Sequence, residues 1–168
     1  MAVILPSRRA ILLGLAAAGL AGRAIAEAVV DLGWRDLLPA DTSSLPGNLS
    51  GIVPHDESSL AAQQPVSTGI RMDWNGQVVR LSGFVVPIDY KGTGVTAFIL
   101  VPYVGACVHV PPPPANQLVF VTTAKPYESS GMFEAVTVTG MFGTASTSTQ
   151  LAEIGYALSA DEIRPYRA

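Results

Sequence analysis

Cys107 and His109 are the two residues whose types and spacing suggest chemistry. The chain carries one cysteine and two histidines, and this pair sits two positions apart in Gly105-Ala106-Cys107-Val108-His109-Val110. Alternate side chains of an extended strand share a face, so thiol and imidazole are expected to point the same way. A thiolate and an imidazole suit Zn2+ or Cu+. A structural zinc site takes four protein ligands, and Cys-x-His supplies two. His55 and Asp89 are the further candidate ligands, and Asp56, Glu57 and Glu134 are other available donors. The competing reading is a buried cysteine, packed as a small hydrophobe beside a hydrogen-bonded histidine. A Cys/His nucleophile is a third reading, in which the base usually comes from a distant part of the chain. No oxyanion-hole motif, P-loop, dinucleotide fingerprint or His-Glu-x-x-His accompanies the pair, so the chain reads as non-catalytic.

Pro111, Pro112, Pro113 and Pro114 follow at once, then Ala115-Asn116-Gln117. Prolines fix φ and remove backbone donors, which favours a stiff polyproline II segment. Such a segment either seals a sheet edge against further pairing or docks in a partner's aromatic-lined groove. In the second case Pro111–Pro114 are the partner-binding residues. Asn116 and Gln117 then fix the exit from the arm by hydrogen bonds to backbone.

The elements that must position this stretch begin after an export signal. Arg8 and Arg9 precede an apolar run from Ala10 to Ala21, and Ala24-Ile25-Ala26 gives a small-x-small cleavage pattern. Ser7-Arg8-Arg9-Ala10-Ile11-Leu12 resembles a twin-arginine signal, although a general export signal is also basic there. Cleavage after Ala26 predicts a periplasmic or secreted protein, and the run is short for a membrane span of ~20 residues. Losing Arg8, Arg9 and Arg23 from ten basic residues leaves seven against thirteen acidic ones. That acidic balance, without a Lys/Arg cluster, argues against nucleic-acid binding. A lone cysteine in an oxidising compartment has no internal disulfide partner.

Residues 27–68 read as an irregular N-terminal segment, with Trp34 and Leu37 as anchors of a short docking stretch. A brief helix is expected over Ser58–Gln64, stopped by Pro65. Residues 69–168 read as the folded domain. Asn75-Gly76 is a turn signal, and Gln77–Pro87 a long strand with Gly83 marking a bulge or bend. Val95–Val101, Ala106–Val110, Gln117–Thr122 and the alternating Glu134–Phe142 are further strands. Ala152–Leu158 is a strand or a helical turn, and Ser159–Glu162 opens a C-terminal turn. Several strands without crossover helices predict a mostly β chain, a small antiparallel OB-like β-barrel, with a small sandwich as the second choice.

Leu81-Ser82-Gly83-Phe84-Val85-Val86-Pro87, Phe98–Tyr103 and the Gly105–Gln117 run resemble an uncharacterised bacterial family of small exported proteins or lipoproteins, a domain of unknown function. The resemblance covers roughly residues 68–142. It implies a periplasmic location and an association with neighbouring ABC-type transporter genes and metal-responsive operons, but no assigned activity. No cysteine stands at the cleavage site, so the lipid anchor of some relatives is not implied. The functional expectation is a periplasmic, non-catalytic domain that binds zinc or copper and works with a membrane transporter component. The alternative is a structural or protein-interaction module in which the proline surface docks a partner and Cys107 is buried.

Overall fold

The computed structural model describes residues 28–39, 64–107 and 111–166. The export signal, the stretch expected to form a helix over Ser58–Gln64 (Gln64 apart), His55 and His109 lie outside the described residues. Six strands make up one sheet: β1 (Val30–Leu32), β2 (Val78–Lys91), β3 (Gly94–Val101), β4 (Val119–Tyr127), β5 (Ala135–Ser148) and β6 (Glu153–Pro165). Their order is β1-β2-β3-β4-β6-β5, and a further β2–β5 pairing closes five of them into a barrel. All barrel pairings are antiparallel except β4–β6, which is parallel. This is the OB-like barrel that the strand pattern predicts.

Strand alternation sorts the side chains into two cores. Val79, Leu81 and Val85 of β2, Phe98 and Leu100 of β3, Val119 and Val121 of β4, Val136 and Val138 of β5, and Tyr156 and Leu158 of β6 fill the interior. Residues between them on β2, β3 and β4 (Phe84, Val86, Ile99, Val101, Phe120) point outward and join a second apolar cluster. β2 serves two neighbours in turn, pairing with β5 from Val78 to Phe84 and with β3 from Phe84 to Lys91. Gly83 lies at this handover and faces inward. A Cβ there would lie 2.8 Å from the Val101 carbonyl and 2.9 Å from the Trp34 ring, so only glycine lets the bend close.

Two stretches beyond the expected strands are themselves strand. Thr144–Ser148, a polar run, continues β5, and Ser159–Pro165 continues β6 where a turn was expected. Thr144–Ser148 lies against Glu153–Tyr156 of β6, and Ser159–Pro165 against Val136–Met141 of β5. Ser146, Ser148, Ser159, Asp161, Glu162 and Arg164 are exposed. Cross-strand pairing supplies the order that local pattern lacks.

The N-terminal segment closes one part of the barrel. β1 pairs in parallel with β2, Val30 opposite Val79, so this stretch is not wholly irregular. Trp34 donates from Nε1 to the Ser82 carbonyl at 2.8 Å, and Leu37 is completely buried in the barrel core. Tyr156, also completely buried, ties this segment down. Its hydroxyl donates to the Leu37 carbonyl at 2.9 Å and accepts from the Arg71 amide at 2.8 Å. Arg71 in turn bonds the Asp36 carbonyl at 3.1 Å and Asp73 at 2.9 Å, and its guanidinium lies 4.5 Å from the Trp74 ring centroid.

Candidate functional site

Cys107 lies on the connection between β3 and β4, not on a strand. Ala106 makes an isolated bridge, and Cys107 is in a turn at φ 65°. The extended geometry that would align alternate side chains is therefore broken at Cys107 itself. The connection folds over the outward face of β2, β3 and β4. There Ala106 and Cys107 pack with Val86, Ile99, Val101, Leu118, Ala152 and Ile154, and Tyr103 and Phe133 close over them.

Cys107 has no exposed surface. Burial pushes its thiol from an ordinary value near 9 up to about 11. Burial first, and proximity to Cys107 second, also raise the Tyr103 phenol. Both shifts have the sign of groups kept neutral in an apolar setting, opposite to the lowered thiol of a reactive cysteine.

Among the other candidate ligands, Asp89 stands on the exposed far part of β2, at an irregularity in the β2–β3 register. Its carboxylate accepts from the neighbouring Tyr90 amide at 2.8 Å. Glu134 is already engaged by the Tyr127 hydroxyl at 2.9 Å, the Ser129 hydroxyl at 2.8 Å and the Ser130 amide at 2.7 Å. Burial works to raise its carboxyl, but these hydrogen bonds outweigh that and hold it below the usual range. Among the described residues, no three His, Cys, Asp or Glu side chains are grouped so as to hold a metal ion.

The prolines are braced against the barrel by the chain itself. Pro112 and Pro113 are buried, while Pro111 and Pro114 keep part of their surface. The Gln64 side chain spans from this segment to β6. Its Nε2 donates to the Pro113 and Glu153 carbonyls, both at 2.8 Å, and its Oε1 accepts from the Glu153 amide at 2.8 Å. A short 3-10 turn, Ala115–Gln117, then leads into β4. Asn116 and Gln117, both buried, anchor that turn. Asn116 Nδ2 donates to the Gly69 carbonyl at 2.9 Å, and Gln117 Nε2 to the Trp34 and Asn116 carbonyls at 2.9 Å each. Gln117 thus couples the proline exit to the docked N-terminal segment. Gln64, Arg71 and Tyr156, which do comparable work, carry no local signal for it, because the Pro113, Asp36 and Leu37 carbonyls that they bond lie 35 or more residues away.

An OB barrel presents the face of its second and third strands to oligonucleotides or oligosaccharides. Here those strands are β3 and β4. The outward side chains Ile99 and Val101 of β3 are fully buried in the second cluster. The chain's own crossover occupies the face that such ligands would use. Among the described residues, no helix is long and apolar enough to cross a membrane.

A search of curated proteins finds no match. Among solved structures, the chain is similar to the crystal structure of a DUF3299 family protein from Pseudomonas aeruginosa PAO1. The two share 36% identity at a TM-score of 0.75, over 84% of this chain and 98% of the other. The family profile described as "Protein of unknown function (DUF3299)" matches residues 34–165. From Trp34, just after β1, to Pro165, the last residue of β6, the chain belongs to the DUF3299 family.

Proposed function

We propose that this chain is an exported, non-catalytic interaction module in which Cys107 is core packing. Its partner is a protein, and a membrane transporter component is the class the family resemblance implies. The observation that carries this reading is the sealed position of Cys107 in an apolar cluster, its thiol held neutral by burial. A nucleophile needs an accessible thiolate, and a metal ligand needs other donors beside it; the described residues packed with Cys107 in this cluster are apolar. The partner contact is assigned to the part of the proline segment that stays at the surface, Pro111 and Pro114. The barrel and the Gln64, Asn116 and Gln117 hydrogen bonds hold that segment in place, which keeps the ordering cost of binding low.

The metal reading makes the opposite predictions. Protein purified from the periplasm is expected to hold well under one equivalent of zinc or copper, unchanged by Cys107→Ser. Its thiol is expected to react with a disulfide reagent only after unfolding. Near-stoichiometric metal that disappears with Cys107→Ser would overturn the proposal in favour of a Cys107/His109 centre. For the contact itself, a Pro111→Ser/Pro114→Ser double variant should stay folded, with a melting temperature only slightly below wild type, and lose in-cell cross-linking to the transporter component. Retained cross-linking would remove the proline surface from the proposal.

A further inference from the structure

We draw no further inference here: the strongest candidate, the exposed side chains Ile88, Tyr90 and Met132 on the β2–β3 hairpin and the β4–β5 loop, carries nothing because nothing in the structure shows what covers them.

Discussion

Tyr156→Phe tests whether the N-terminal segment is part of the barrel's stability. The ring stays, and with it the packing on Phe142 at a centroid distance of 5.1 Å. Only the hydroxyl is lost. The carbonyl of Leu37, a fully buried residue, is then left without its donor, and the Arg71 amide without its acceptor. An orphaned buried acceptor costs ~1–3 kcal/mol, and the lost bond to a half-buried amide adds ~1 kcal/mol. The expected destabilisation is therefore about 2–4 kcal/mol. For a domain of this size that lowers Tm by roughly 8–15 °C, read by calorimetry or a urea melt.

Leu37→Ala supplies the cross-check, at ~2–5 kcal/mol for an emptied core site. If both changes act by loosening one docked segment, the double variant should lose less than the two losses added together. A Tyr156→Phe shift under about 2 °C, with full additivity to Leu37→Ala, would refute the claim that this hydroxyl pins the segment.

Cys107→Ala should flatten the alkaline limb of the stability curve. Because the folded thiol is raised to about 11, its contribution is complete below pH 9 and is lost as pH rises toward 11. The wild type minus variant difference across that window, by urea melts, should reach about 2–3 kcal/mol. Glu134→Gln should destabilise at neutral pH. Glu134 titrates below its usual range, so its contribution is present above the unfolded value and lost as pH falls through the folded one; the two melting curves should therefore converge in acid. Gly140→Ala should cost more than about 3 kcal/mol or prevent folding, since its Cβ would collide with the Ser159 backbone where β5 and β6 are in contact. Gly143→Ala, whose Cβ would meet only Asn75 Oδ1 at 3.6 Å, should change Tm little.

The barrel was legible because its strands advertise themselves. β2 and β5 alternate, Asn75-Gly76 turns the chain, and Gly83 marks the bend. What could not be read is what depends on partners distant in sequence. The polar Thr144–Ser148 stretch is strand because β6 lies beside it. The exit from the proline run was legible, since Asn116 and Gln117 do bond backbone. The conformation of Cys107 was not. A β-branched, apolar neighbourhood predicts extension, and nothing in it signals a positive φ at a cysteine. The expected alignment of thiol and imidazole depends on that extension, which the positive φ at Cys107 breaks.

The same local break explains why the proline run follows the cysteine so closely. The end of β3 already lies beside the start of β4, with Leu100 opposite Val119, yet the connection between them is long and packs Ala106 and Cys107 on the outward face of the sheet. That face, with Ile99, Val101 and Phe120, is too apolar to be left in water. Covering it with an ordinary loop would bury backbone N–H groups without partners. Prolines have no N–H to satisfy, so Pro112 and Pro113 can be buried within this connection at lower cost. The carbonyl of Pro113 is met by Gln64. On this account the buried prolines give the β3–β4 connection apolar bulk with few backbone donors. The account makes a demand on substitutions: Pro112→Ala and Pro113→Ala each add a buried amide and should destabilise by ~1–3 kcal/mol. Pro111→Ala and Pro114→Ala, at partly exposed sites, should cost less, and equal losses at all four positions in thermal melts would show that the cover is not built this way.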